Sequence, residues 1–236
     1  MKMKRIIVSV FLGIALCLSL FVLPSCNKIN PFKKEKQITV CLVPLDGISK
    51  SQIEELEKEF KENFSDKREE VFFLECLKHF NTPDSCINTK YHRFEAGKML
   101  KFLDNQFGET ASQLADRNSE GETSDYYIIG VTNRDISTPI HGKENYGILG
   151  LSTLGGNVSV ISSYRMKKKK DLWKLAMHEF GHGYYSLSHC PNDDASCIMA
   201  DAKGGNPHFE LKDTLCSVCY EKSLRPDRNI RPYRKK

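Results

Sequence analysis

Residues 178–190 read His178-Glu179-Phe180-Gly181-His182-Gly183-Tyr184-Tyr185-Ser186-Leu187-Ser188-His189-Cys190. Leu172, Leu175 and Ala176, just before them, have the spacing of a core-facing helix stripe. At 3.6 residues per turn His178 and His182 share one helix face, one turn apart, so both imidazoles can reach a single zinc ion with Glu179 beside them. A helix that merely happens to carry two histidines and a glutamate is the plain alternative. His189, seven residues after His182 and beyond Gly183, argues against it, because the helix can end at Gly183 and the chain turn back with a third ligand. Three histidines and an open fourth position are what a catalytic rather than a structural zinc requires.

Further along lie Cys197-Ile198-Met199 and Cys216-Ser217-Val218-Cys219. Together with the histidine stretch they resemble the archaemetzincin family of zinc metallopeptidases. The likeness is strongest over 170–220 and weaker over the pattern from Ile38, including Ile129-Gly130-Val131-Thr132 and Asp135. The resemblance implies that His178, His182 and His189 bind a catalytic zinc and that Glu179 is the general base. It further implies that Met199 forms a turn beneath the metal, and that Cys190, Cys197, Cys216 and Cys219 hold a second, structural zinc. Zn2+, two ions per chain, is the cofactor expected, and a peptide or protein the substrate. Whether cleavage would be aminopeptidase-like stays open.

Two departures from the family pattern stand out. The family's third histidine falls ten residues after the first, which here selects Ser188, and its glycine falls three residues after the second histidine, which here is Tyr185. Leu187-Ser188-His189-Cys190 still matches the family's Leu-x-His-Cys, so a one-residue insertion in the turn is expected, with Gly183 supplying flexibility. The interval from Cys190 to Cys197 is also two residues longer than usual, which puts Asn192, Asp193 and Asp194 in a surface loop. The irregular third ligand makes a catalytically inactive zinc-containing binding module the main alternative. The other is an oxidoreductase-like secreted protein with its C-terminal cysteines in disulfides. Tyr184 and Tyr185 are candidate substrate-facing groups, with aromatic packing as the alternative.

Outward from the site, the chain reads as strands alternating with helices. Residues 38–45 form a near-continuous apolar strand, followed by a helix with Ile53, Leu56, Phe60 and Phe64 on one stripe. A strand at 71–77, a helix over about 92–107 and a strand at 126–132 follow. Two shorter strands, 146–152 and 157–162, are separated by a Gly155-Gly156 turn. The expected fold is α/β, metzincin-like: a mixed, mostly parallel sheet with an antiparallel edge strand, an active-site helix and a small Cys-rich zinc-bound subdomain near the C-terminus. The edge strand, taken as 146–152, is where an extended peptide could pair. The domain spans 37–220, its zinc-bound part about 190–220.

Charge and cysteine usage complete the reading of the 236 residues. Lys2, Lys4 and Arg5 precede an apolar run over 6–23 and then Leu23-Pro24-Ser25-Cys26, the layout of a secretory signal. An uncleaved membrane anchor is the alternative, but the terminal cysteine resembles a bacterial lipobox, which implies a signal at 1–25, a lipidated Cys26 and a linker over 26–36. The chain is then exported and lipid-anchored to a bacterial membrane, on the periplasmic side or the cell surface. Without the signal, the 35 basic residues fall to 32 against 30 acidic ones, a net charge of only +2. Seven basic residues against two acidic ones lie in the tail at 221–236, so a nucleic-acid-binding body is not expected. Lys167 to Lys170 read as an exposed loop before a helix. Cys76 and Cys86 flank a short loop that a disulfide could close, and Cys41 reads as a buried small hydrophobe.

Overall fold

Strand β1, Lys36–Pro44, shows how the core is divided. Its side chains alternate between faces, as any strand's do. Ile38, Val40 and Leu42 enter one hydrophobic cluster, and Cys41 and Val43 enter a second on the opposite face. β5, Asp125–Thr132, repeats the division, with Tyr127, Ile129 and Val131 on the first side and Tyr126 and Ile128 on the second. A strand buried on both faces has no polar face to alternate with, which is why these segments are so uniformly apolar.

This is a computed structural model, and it describes residues 36–64, 70–119, 124–140, 142–202, 208–212 and 214–224. The expected signal, Cys26, all but the last residue of the linker, and most of the basic tail lie outside these residues. All those described belong to one unit over 35–236. No helix among them is long and apolar enough to cross a membrane.

The remaining elements are α1 (Lys50–Phe64), β2 (Glu70–Cys76), β3 (Ile87–Asn88), β4 (Arg93–Glu95), α2 (Ala96–Asn118), β6 (Ile136–Ile140), β7 (Lys143–Ile148), β8 (Gly150–Ser152), β9 (Val158–Ser162), α3 (Leu172–Gly183) and α4 (Ser217–Ser223). The main sheet has the order β2-β1-β5-β9-β8. All its neighbours are parallel except β8, which runs antiparallel to β9 and forms the edge. Helices α1 and α3 cover one face, with Ile53, Leu56 and Phe60 of α1 meeting Leu175, Ala176 and Phe180 of α3. Helix α2 covers the other through Met99, Leu103, Phe107, Ala111 and Ala115. The α/β class, the mostly parallel sheet and its antiparallel edge are therefore as expected.

Several boundaries differ from those expected. Residues 93–95, read as helix, are strand β4, and α2 continues eleven residues beyond Phe107. Its second half buries only Gly108, Ala111 and Ala115, residues too small to register as an apolar stripe. The strand expected at 146–152 is two strands in different sheets. β7 pairs with β6 in a small sheet of order β3-β4-β6-β7, and after Leu149 the chain crosses into the main sheet as β8. The edge is thus only residues 150–152. Strand β6 carries Pro139 at a register irregularity, and a proline inside a short run argues against a strand reading.

Cys76 and Cys86 are not joined: Cys76 is exposed at the end of β2, while Cys86 is buried among the residues under α2. Cys41 is buried as expected. Lys167 to Lys170 are exposed, ahead of α3. The tail starts later than 221, because α4 runs through Ser223.

Candidate metal centre

Helix α3 is almost wholly sunk in the core, with Leu172, Trp173, Leu175, Ala176, Met177 and Phe180 buried. Phe180 packs edge-on to Tyr127 and Phe60 and stacks on Tyr184. That packing fixes the opposite face, where His178 and His182 stand 4.7 Å apart between ring centroids. Each ring is oriented through Nδ1. His178 Nδ1 donates to the Ile198 carbonyl at 2.7 Å, and His182 Nδ1 to the Leu187 carbonyl at 2.6 Å.

With Nδ1–H committed in this way, both Nε2 atoms present lone pairs, and they face each other at 3.1 Å. No proton lies between them, so the contact is unfavourable unless a cation fills it. Zinc–nitrogen bonds of about 2.0–2.1 Å in a tetrahedron place two nitrogens about 3.3 Å apart, so the spacing fits. His189 completes the group, its ring centroid 5.4 Å from that of His178 and 4.8 Å from that of His182, and the three ligand atoms lie within 4.8 Å of one another. His189, rather than the exposed Ser188 that the ten-residue spacing selects, is brought to the cluster. Its Nδ1 lies 3.5 Å from a carboxylate oxygen of Asp201.

The turn delivering His189 shows how the inserted residue is accommodated. Gly183 has no left-handed φ; Ser186, at φ 53°, makes the turn instead. The Leu187 N–H bonds the Gly181 carbonyl at 2.9 Å, a span one residue longer than the six-residue Schellman closure. The flexibility expected of Gly183 is therefore supplied by a left-handed serine, which costs about 1–2 kcal/mol relative to glycine. Ser186→Gly is expected to raise stability by about 0.5–1 kcal/mol after the added unfolded-chain entropy is subtracted. Denaturant unfolding checks this, and a midpoint lowered by the substitution would contradict it.

Glu179 is 5% exposed and lies against the β8 backbone, where a Cβ on Gly150 would overlap its carboxyl group. Burial pushes its pKa up to about 8. Burial pushes His178 down to about 3, helped by the neighbouring His182, and lowers His182 as well. With the histidine site emptied by a mild chelator, these shifts oppose each other. Below pH 6.5 the unfolded histidines take up protons that the folded ones refuse, so stability falls as the pH falls. Above pH 4.5 unfolded Glu179 loses a proton that the folded form keeps up to about 8, so stability falls as the pH rises. Between pH 4.5 and 6.5 His178 alone offsets Glu179, and the lowering of His182 tips the balance, so stability is expected to rise toward pH 6.5 and to fall above it. A denaturation midpoint flat from pH 5 to 8 would contradict this.

Cys190, Cys197, Cys216 and Cys219 form a second group whose Sγ atoms lie within 4.8 Å of one another. No disulfide joins them, and Cys190 Sγ and Cys216 Sγ are 3.7 Å apart. A tetrahedral zinc with about 2.3 Å bonds to sulfur separates sulfurs by about 3.8 Å, so this spacing also fits. Burial raises the Cys197 thiol to about 11 and raises Cys219 too, so a metal entering here must displace protons. Four residues tie the two groups together. Cys197 opens a turn closed by the Ala200 N–H on its carbonyl at 2.9 Å; Ile198 within it holds His178; and Met199, fully buried, lies beneath Gly181, where a Cβ would overlap its sulfur.

No family model matches the chain. Over 122 residues it is 30% identical to the archaemetzincin of Haloquadratum walsbyi, a match covering 45% of this chain and 64% of that curated relative's length. Among solved structures it is similar to the archaemetzincin of Methanopyrus kandleri, with a TM-score of 0.57 at 20% identity over 79% of this chain and 93% of that one. It is likewise similar to the archaemetzincin of Archaeoglobus fulgidus, solved in complex with malonate, with a TM-score of 0.54 at 19% identity over 79% and 99%. The fold is that of the archaemetzincins.

On this archaemetzincin fold, both tyrosines of the turn belong to the core. Tyr184 donates its hydroxyl to Asp125 at 2.7 Å, and Tyr185 packs edge-on to Phe180 and Tyr184, so the packing reading of both is the one observed. Three site residues carried no recognisable sequence signal. Tyr127 bonds the Glu179 carbonyl at 3.1 Å and Ser152 at 2.9 Å, pinning the helix to the edge strand. Asp201 stands behind His189. Lys212, 3% exposed, donates to the Ala200 carbonyl at 2.5 Å and lies 3.5 Å from that of Ile198, which places an ammonium between the two ligand groups. Each is brought in by long-range packing from a position with no fixed spacing to the histidines.

Proposed function

We propose that the chain is a zinc-dependent peptide hydrolase. The observation that carries this reading is a buried carboxylate, Glu179, beside three converging histidines on the floor of a cleft of about 1320 Å³, with the free edge of β8 along its wall. A cleft larger than the usual small-molecule site has room for a peptide segment. The archaemetzincin likeness and the curated relative support the same reading.

His178, His182 and His189 would hold the ion, with Ile198 and Leu187 fixing the first two rings and Asp201 standing 3.5 Å from the third. When bound, zinc lowers the pKa of water from 15.7 toward about 7 and polarises a carbonyl oxygen. A dication beside Glu179 favours its ionised form, offsetting the burial that otherwise holds it protonated. Glu179 then accepts a proton from the attacking water and returns it to the leaving amine. The β8 edge aligns an extended peptide by backbone pairing. Cys190, Cys197, Cys216 and Cys219 hold a second zinc that fixes the turn beneath the helix. The sequence layout ahead of Cys26 supports export and a lipid anchor on that cysteine, tested by metabolic labelling with a tagged fatty acid in wild type and Cys26→Ala.

The hydrolase reading is tested by incubating the zinc-loaded protein with a peptide library and analysing the products by mass spectrometry. Cleavage is expected, lost on chelation and restored by zinc, and the new termini distinguish removal of single N-terminal residues from internal cuts. Bound zinc with no cleavage of any peptide would overturn it in favour of a binding module.

A further inference from the structure

Upstream of the edge strand the cleft wall carries a group of charges that the hydrolytic chemistry does not use. The guanidinium of Arg165 lies across Gly147 of β7, where a Cβ would collide with it. Arg165 grips Asp135 with two bonds, Nε at 2.7 Å and Nη2 at 2.8 Å. Arg93 reaches the same carboxylate through Nε at 2.8 Å and donates Nη1 to the Asn145 carbonyl at 3.2 Å. Two guanidiniums thus share one carboxylate, for a net charge of +1. The acid is sunk at 15% side-chain exposure, while the arginines face the cleft at 30% and 37%. Arg165 Nη1 and Arg93 Nη2 have no hydrogen-bond partner among the described residues, so each retains donors.

The rest of the cleft does not cancel this charge. The lining cations Arg93, Lys143, Arg165, Lys167, Lys168 and Lys212 outnumber the lining carboxylates Asp171, Glu179, Asp201 and Glu210, and Asp171 also lies 3.9 Å from Lys174. Lys143 and Lys167, which also line the cleft, have no acid within ion-pair distance among the described residues and add to the positive end. A paired and sterically fitted guanidinium cluster is suited to a carboxylate, which it can meet with two parallel bonds.

Direction follows from the elements. Gly150 lies at Glu179 and Ser152 at Gly183, so β8 and α3 run the same way along the cleft. A peptide adding to β8 in the antiparallel sense, the more stable pairing, has its N-terminal part toward Ser152 and its C-terminal part toward Gly147. At about 3.3 Å per residue, the three residues from Gly150 back to Gly147 span at most about 10 Å, since the chain changes sheets between β7 and β8.

We propose that Arg165 and Arg93, held by Asp135, form a subsite for a substrate carboxylate within about three residues to the C-terminal side of the bond at the histidine site. The proposal rests on the peptide-hydrolase reading for its direction, and names a side-chain or chain-terminal carboxylate as the group recognised.

The test uses three fluorescein-labelled peptides of one sequence: one ending in glutamine with a free carboxylate, one ending in glutamate with an amidated terminus, and one ending in glutamine with an amidated terminus. Binding to the zinc-loaded Glu179→Gln chain is read by anisotropy, and kcat/KM is measured on the wild type. At least tenfold tighter binding is expected for one or both carboxylate-bearing peptides, and which of them gains identifies the carboxylate's source. The preference is expected to vanish in Arg165→Met, to be weakened in Arg93→Gln and to be partly kept in Arg165→Lys, with circular dichroism of each variant matching the wild type. Equal binding of all three peptides to the Arg165-containing chain overturns the proposal whatever the variants do, as does a preference that survives both arginine substitutions. Selective binding without any cleavage by wild type would remove the hydrolase reading and leave the subsite, whereas cleavage of all three with equal kcat/KM and equal binding would do the reverse.

Discussion

Replacing Glu179 with glutamine is expected to lower peptide hydrolysis by about 10³-fold or more while leaving the zinc content unchanged. The size follows from the proposed role, since a positioned general base contributes about 10²–10⁴-fold and the proposed mechanism has one carboxylate serve both the attacking water and the leaving amine. Glutamine keeps the shape of the side chain against Gly150, so the packing of α3 on β8 survives. His178 and His182 are oriented by Ile198 and Leu187 and His189 stands beside Asp201, none of which depends on Glu179, so the ion is expected to stay. Activity within tenfold of wild type would show that another group moves the proton. Loss of zinc together with activity would show that Glu179 matters to the ligand set.

The second large effect is an asymmetry between the two ligand groups. His182→Ala is expected to remove one metal and leave the thiolate site loaded. Cys219→Ser is expected to lose the thiolate metal and to weaken the histidine site as well. The reason is the turn over 197–200: Cys197 starts it, its Ile198 carbonyl orients His178, and Met199 supports the helix under Gly181. Structural zinc contributes about 10–16 kcal/mol of apparent binding energy in small peptides, comparable to the whole stability of an ordinary domain. The segment also has apolar contacts of its own through Ile198, Met199 and Phe209, so part of the loss is absorbed. A net loss of about 5 kcal/mol lowers Tm by at least about 10 °C at this chain length. Native mass spectrometry with thermal unfolding reads both quantities; a Cys219→Ser protein with unchanged Tm and a full histidine site would contradict the coupling.

The histidine residues were legible in the sequence because a helix converts a four-residue spacing into a shared face, which is a local property. His189 was legible only through Leu187-Ser188-His189-Cys190, since the inserted residue defeats any count along the chain. The physical answer, a left-handed Ser186 closing a widened turn, leaves no composition signal because glycine is absent from that position. The main-sheet strands were legible from their apolar runs. The small sheet was hidden by short strands and Pro139, and the division of 146–152 between two sheets is set by pairing partners far away in sequence. Arg93, Asp135 and Arg165 illustrate the same limit: three separate segments meet at one carboxylate, and no periodicity within any of them announces it.

The proposed division of labour between a nitrogen-ligated hydrolytic centre and a sulfur-ligated structural one is tested most directly by zinc-edge X-ray absorption on the metal-loaded chain. Two zinc ions per chain are predicted, with an average shell of about two sulfurs at 2.3 Å and two nitrogen or oxygen atoms at 2.0 Å, resolving in His182→Ala to four sulfurs alone. A wild-type spectrum with only sulfur ligands, or with one zinc per chain and no sulfur, would contradict it.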